Sequence, residues 1–434
     1  MNLPATPILP ILLGRAAFAA LLSLTLSPPG AAGITQRVSV PASEVEGDAD
    51  SYGVSISANG RFIAFVSDAT NLVQGDTNAK TDIFVRDRKK GTTIRVSVNS
   101  AGGEGNDDSS RPSISKNGRF VAFESRASNL VTGDLNNTRD VFIHDRKTGA
   151  TTRIPDGGLA PSISASGRFV AFESDAPDLV PDDTNGLRDI FLHDRKTGAT
   201  TRVSVDSTGG QANDASFEAF VSGNGRLVAF RSFASNLVEG DLNGMMDVFV
   251  HDRKRGVTTR VSVDSEGGEG DDISLLPSLS RNGKLVTFHS YASNLVEGDL
   301  NGSSDVFVHH RKSGVTSRVS VDSAGGEGNA DSFFGRLSAN GRYVAFESHA
   351  SNLVEDDTGG FADVFLHRLK TGVTTRISID ADGGEANDES FNPSLSGTGR
   401  FVAFESGASD LVSGDENSVY DAFVHDREPH DREP

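Results

Sequence analysis

The sequence predicts an all-β fold, a seven-bladed β-propeller of four-stranded blades whose ring is closed by the N-terminal strand. Three observations predict it. One phrase recurs seven times, each copy contains four short β runs, and the last copy lacks its fourth run, which is found at the front of the chain.

The phrase reads S-x-S-x-N-G-R-F-V-A-F-E-S, then A-S-N-L-V-x-G-D-x-N-x-x-x-D-V-F-V-H-D-R-K-T-G, then T-T-R-V-S-V. The glycine of its N-G pair falls at Gly60, Gly118, Gly167, Gly225, Gly283, Gly341 and Gly399. The step is 58 residues except between Gly118 and Gly167, where it is 49 because Ile154-Pro155-Asp156-Gly157-Gly158 replaces a longer loop. Repeats this regular are stacked supersecondary units, and a closed array absorbs a 434-residue chain in one domain.

Within a copy the predicted strands are Pro112 to Ser115, Phe120 to Ser125, Val141 to Asp145 and a fourth like Arg95 to Val98, all rich in Val, Ile and Phe. Asn-Gly joins the first two, since both turn positions need positive φ. Thr-Gly, as at Thr148-Gly149 and Thr197-Gly198, joins the last two. Four antiparallel strands repeated radially make a propeller blade. The seventh copy stops at Val424-His425-Asp426-Arg427, and Ile34-Thr35-Gln36-Arg37-Val38-Ser39-Val40 supplies its missing strand. Closure of this kind removes exposed sheet edges.

The flanks are read separately. Residues 1–32 form a signal peptide, with the apolar core Ala16 to Leu26 after Arg15 and small residues at Gly30 to Gly33. Such a core is too short to span a bilayer, which takes about 20 apolar residues, so the mature chain has no membrane span. The chain is expected to be exported, to the periplasm or the extracellular space. The propeller covers 33–427, and 428–434 is a disordered tail. No cysteine is present, so disulfides contribute nothing. The 41 basic and 60 acidic residues give a net charge of −19, which argues against a nucleic-acid ligand. A monomer is expected.

The repeat phrase resembles the TolB-type, WD40-like propeller repeat called PD40. The resemblance covers nearly all of the mature chain. It implies the propeller fold and little about function, because such propellers serve many tasks. The amino-terminal domain that accompanies the propeller in TolB has no counterpart here.

Strand order places the Asn-Gly and Thr-Gly turns on one face and the long loops on the other. Arg61, Arg119, Arg168, Arg226, Lys284, Arg342 and Arg400 populate the short-turn face, beside pairs such as Arg88-Lys89 that neighbouring aspartates are expected to neutralise. The long-loop face is acidic, through stretches such as Gly102 to Asp108 and through D-x-N-x-x-x-D. Copies of that motif are Asp76/Asn78/Asp82, Asp134/Asn136/Asp140, Asp183/Asn185/Asp189, Asp241/Asn243/Asp247, Asp299/Asn301/Asp305 and Asp415/Asn417/Asp421. At Asp357 the middle residue is Gly359, followed by Asp363. Two readings are open. Closely spaced Asp and Asn oxygens suit Ca²⁺, as in the calcium loops of FG-GAP propeller repeats, although the carboxylates expected at positions five and twelve are missing. Alternatively the first Asp and the Asn build Asx-turns and the last Asp caps the third strand.

No Gly-x-Ser-x-Gly elbow is present. His144, His193, His251, His309, His367 and His425 share one repeat position, which marks them as structural. His289 and His349 break the pattern, but a metal site such as that of propeller lyases acting on uronic-acid oligosaccharides needs a third ligand. The expected function is therefore a non-enzymatic binding or scaffold module, with a protein or cell-surface polymer as partner. The alternative is a lyase- or hydrolase-like propeller enzyme working at the central channel.

Overall fold

The computed structural model describes residues 33–154 and 157–427. The leader expected over 1–32 and the tail over 428–434 lie outside the described residues, as do Pro155 and Asp156. The described chain contains twenty-eight strands, β1 (Ile34–Arg37) to β28 (Asp421–Asp426), and no helix. They form seven four-stranded antiparallel sheets. Blade 1 is β2 (Ser51–Ile56), β3 (Phe62–Ser67), β4 (Asp82–Asp87) and β5 (Thr92–Arg95). Five further blades repeat that order. Blade 7 is β26 (Ser390–Leu395), β27 (Phe401–Ser406), β28 and, at its outer edge, β1. The ring closes as expected: Ile34 pairs with Asp426 and Arg37 with Phe423, and the Val38 N–H donates to the Ala422 carbonyl at 2.8 Å.

The third strand starts one residue earlier than expected, at Asp140, and the first and fourth depart further. The fourth strand covers Thr92–Arg95 and not Arg95–Val98. Beyond Arg95 the chain turns inward: the Ser97 hydroxyl donates to Asp82 and the Val96 N–H to the Ile83 carbonyl. The first strand begins earlier, at Ser109 in blade 2, because a bulge bends it. Each innermost strand has such a register shift, for example between Tyr52 and Ser55. One residue there takes left-handed φ in each blade: Gly53, Arg111, Ala160, Glu218, Leu276, Phe334 and Asn392. A bulge of this kind inserts an extra residue and re-aims its side chain.

The core lies between blades. Each blade stacks a phenylalanine of its second strand on one of its third, as in Phe65–Phe84 and Phe288–Phe307, with centroids 5.9 and 5.8 Å apart. Aliphatic residues of the neighbouring blade cover them: Ala229, Val248 and Val250 pack with Phe288 and Phe307. This geometry accounts for 26 phenylalanines beside a low apolar fraction of 36%.

The short-turn face is a ring of clamps. Arg61, Arg119 and Arg168 hold Asp87, Asp145 and Asp194 by two parallel bonds each, at 2.6–2.8 Å. The arginine one place after that aspartate acts between blades instead. Arg146 stacks on Phe62 of the preceding blade, 4.3 Å from its centroid, and Arg88 stacks on Phe401 across the closure. Gly118 sits at φ +71° against the Phe62 ring, so a Cβ there would meet the ring.

Candidate functional site: loop clusters and the central channel

The D-x-N-x-x-x-D motifs converge on one partner that sequence reasoning missed. It is the arginine ending each fourth strand: Arg95, Arg153, Arg202, Arg260, Arg318, Arg376 and, from the closing strand, Arg37. Arg95 lies 2.9 Å from Asp76, 3.0 Å from Asp82 and 2.7 Å from Glu104. Arg153 lies 2.8 Å from Asp134 and 3.0 Å from Asp140, with no glutamate because its loop is trimmed. Arg202 reaches Asp183 at 3.2 Å and Asp189 at 3.4 Å, and Gln211 stands in the glutamate position. Arg260 faces Asp241, Asp247 and Glu269. Arg318 faces Asp299 at 3.3 Å, Asp305 at 3.0 Å and Glu327. Arg37 faces Asp415, Asp421 and Glu46 at 3.2, 3.1 and 2.8 Å. In blade 6, where Gly359 replaces the asparagine, Arg376 is held more loosely, at 3.3–3.8 Å from Asp357, Asp363 and Glu385.

The asparagines have a separate task. The Asn301 amide donates to Asp305 at 3.1 Å and to the Gly328 carbonyl of the blade-to-blade loop at 2.9 Å, while its own oxygen takes the Ser303 N–H. Asn78, Asn185 and Asn243 repeat this. Asn136 and Asn417 make the same amide bond to Asp140 and Asp421. The asparagine oxygen thus closes an Asx-turn, one of the two readings open from sequence. The last aspartate is buried and accepts a serine hydroxyl, Ser320 to Asp305 or Ser97 to Asp82. In blade 2 the Gly157 N–H takes that role at Asp140.

Burial, before any charge effect, pushes the first aspartates up: Asp76, Asp241, Asp299 and Asp415 all reach about 6, with a neighbouring carboxylate adding to the rise and the arginine opposing it. Three carboxylates against one guanidinium leave negative charge in these clusters. Among the described residues, two groups could hold a metal ion, Asp299/Asp305/Glu327 and Asp357/Asp363/Glu385, with ligand atoms within 4.8 Å of one another. In both, the same carboxylates already face a guanidinium, so a cation there must displace or share with the arginine.

The repeated histidines are tied to the outer strand. His144, His251, His309 and His367 each bond a threonine of the outer strand at 2.9 Å, and His425 bonds Thr35 at 3.0 Å. His289 and His349 are not brought together: His289 is buried with its ring edge-on to Phe333, and His349 is exposed.

The innermost strands line a central cavity of about 620 Å³. A ring of serines girdles it. Ser55, Ser113, Ser162, Ser278 and Ser394 each accept the N–H of a residue in the next blade: Ile114, Ile163, Val221, Leu337 and Ile56, at 3.0–3.3 Å. Phe220 and Arg336 take the serine position in blades 4 and 6. A second ring is formed by glutamates of the second strands. Glu124, Glu173, Glu347 and Glu405 accept the N–H of the bulge residue in the next blade: Ala160, Glu218, Asn392 and Gly53. Val66, Arg231 and His289 hold that position in blades 1, 4 and 5.

No protein-family model matches the chain, and no curated protein matches it. Solved structures do. The chain is similar to an oligogalacturonate lyase in complex with manganese, at 10% identity and TM-score 0.53, covering 90% of this chain and 92% of that one. It is similar to the β-propeller domain of the Trilobed protease from Pyrococcus furiosus, at 9% identity and TM-score 0.52, covering 88% and 96%. TolB from Acinetobacter baumannii matches at 16% identity and TM-score 0.41, covering 80% and 76%. At such identities the likeness concerns the fold alone. The chain is a seven-bladed β-propeller.

Proposed function

We propose that the chain is an exported binding or scaffold propeller, acting in the periplasm or outside the cell on a protein or cell-surface polymer. The observation that carries this reading is where the repeat breaks. The charged clusters of the turns and loops repeat from blade to blade, whereas the polar residues Arg111, Glu218, Arg336 and Asn392 that line the channel do not, and Arg231 lies 3.0 Å from Glu218. A specific site in a repeat protein is a local departure from the repeat. Leu135, Leu242 and Leu300 stand 85–90% exposed among the acidic loops, which suits a protein surface as partner. The clusters around Arg95 and its equivalents act as ionic staples, and blades 5 and 6 are the places where calcium would bind. Among the described residues no helix is long and apolar enough to cross a membrane.

The test is native mass spectrometry of the 33–427 chain after incubation with an envelope extract. A binding module retains a component that is recovered chemically unchanged. An enzyme of the channel releases an altered product, and that result would overturn the reading. One observation favours the enzyme: burial lifts the Glu347 carboxyl to about 7, in the range of a general acid or base.

A further inference from the structure

The glutamate ring is broken in blades 1, 4 and 5 and the serine ring in blades 4 and 6, so the breaks of the two rings overlap across blades 4 to 6. Blade 6 replaces the girdling serine by Arg336, blade 4 replaces it by Phe220, and blades 4 and 5 carry Arg231 and His289 where four other blades carry glutamate. The bulge N–H groups of Leu276 and Phe334 are thereby deprived of the carboxylate that takes the equivalent N–H in blades 1, 3, 4 and 7. Donors outnumber acceptors there.

Arg336 lines the cavity. Among the described residues its guanidinium has no ion pair or hydrogen bond, in contrast to the seven arginines of the loop clusters. The two carboxylates whose field reaches it are Glu218 and Glu347, and both are engaged elsewhere. Glu218 lies 3.0 Å from Arg231, and Glu347 accepts the Asn392 N–H at 2.8 Å. The buried Nδ1 of His289 has no partner either, and its ring lies against Phe333 and Phe334. Folded proteins rarely leave such groups unmatched, and where they do the group is open to water, an ion or a ligand. A guanidinium presents a planar fork that fits a carboxylate with two parallel bonds. Phe220, Leu276, Pro277 and Phe334 make the adjoining wall apolar.

We propose that the channel between blades 4 and 6 binds an organic carboxylate, its carboxylate on Arg336 and its apolar or aromatic body against Phe220, Leu276 and Phe334. This rests on the reading of the chain as a binding module and names the chemistry of what that module holds. Arg336 confers specificity at a structural expense, because the serine it replaces would accept an N–H from blade 7, as Ser278 does from Leu337.

The test is calorimetric titration of the 33–427 chain with 3-phenylpropanoate and with 3-phenylpropanamide. The acid is expected to bind, and the amide at least about tenfold more weakly, as follows from loss of a charge-assisted hydrogen bond. Arg336→Ser is expected to lose binding of the acid while melting at the parent temperature or above. Arg336→Lys, which keeps the charge without the fork, is expected to bind the acid more weakly with an unchanged circular dichroism spectrum. Absence of binding by the parent, equal binding of acid and amide, or full binding by Arg336→Ser would overturn the proposal. If an envelope component is still retained when 3-phenylpropanoate is not bound, the carboxylate assignment falls and the binding-module reading stands.

Discussion

Replacing Arg318 by Met should turn a satisfied cluster into three uncompensated carboxylates. In the parent the guanidinium faces Asp299, Asp305 and Glu327, and their side chains are 4%, 0% and 21% exposed. Removing one partner of a buried pair costs about 3–5 kcal/mol, because the remaining charge is left without compensation. An unfolding entropy of about 2.1 cal/mol/K per residue over 434 residues is about 0.9 kcal/mol/K, so the melting temperature should fall by about 3–6 °C at pH 7. The effect weakens with acid. Asp299 is already raised to about 6, so its folded-state value exceeds its unfolded one. Its protonation relieves the cluster as pH falls through 6, and the deficit of the variant should shrink at pH 5. With the guanidinium gone, the ligand atoms lie within 4.8 Å of one another and suit calcium. Added calcium should therefore restore the variant more than it raises the parent. Scanning calorimetry at pH 7 and pH 5, with and without calcium, reads all three effects. A variant that melts with the parent at pH 7 would refute the reasoning.

Three further outcomes follow from the same physics. Deleting Ile34 to Val40 strips β28 of its edge partner and removes the buried Val38 and Val40; gel filtration should show aggregation, and a deletion chain that elutes and melts like the parent contradicts the closure. Gly118→Ala adds a Cβ against the Phe62 ring at φ +71°, so urea unfolding should register a loss of about 2 kcal/mol or more, and a neutral result would mean the blades do not meet there. Burial holds His309 at about 4, below its unfolded value, so its contribution is present above pH 6.5 and is lost as pH falls towards 4. His309→Asn should accordingly lose about 2 kcal/mol less than the parent between pH 7 and 4.5 in urea titrations at both pH values, and equal losses would place the proton elsewhere.

Much of this architecture was legible in the chain. The Asn-Gly pairs, the phenylalanine-rich second strands and the orphan Ile34–Val40 segment report local backbone geometry and a missing edge, and each is visible without contacts. Strand limits were less so. Ser97 lies in a β-rich run, yet its hydroxyl is drawn inward to Asp82, and only the position of that carboxylate in space reveals it. The bulges were invisible, because Arg111, Glu218 and Phe334 carry no glycine signal for their left-handed φ. The residues of the acidic motif do not by themselves name their cation. Its cation comes from Arg95 and equivalents about 13 residues further on, in the T-T-R phrase, and a repeated arginine opposite a repeated acidic cluster was the available signal. The departures at Phe220, Arg231, His289 and Arg336 were also readable as breaks in the repeat, but their convergence needed the ring.

The central claim is that repeated charges hold the ring together while the unrepeated ones in the channel bind. Hydrogen–deuterium exchange of the 33–427 chain, with and without the component captured from an envelope extract, tests it most directly. The account predicts new protection in the innermost strands Ser274–Leu279 and Ser332–Leu337. Protection confined to the 241–247 and 299–305 loops, with those strands unchanged, would contradict it.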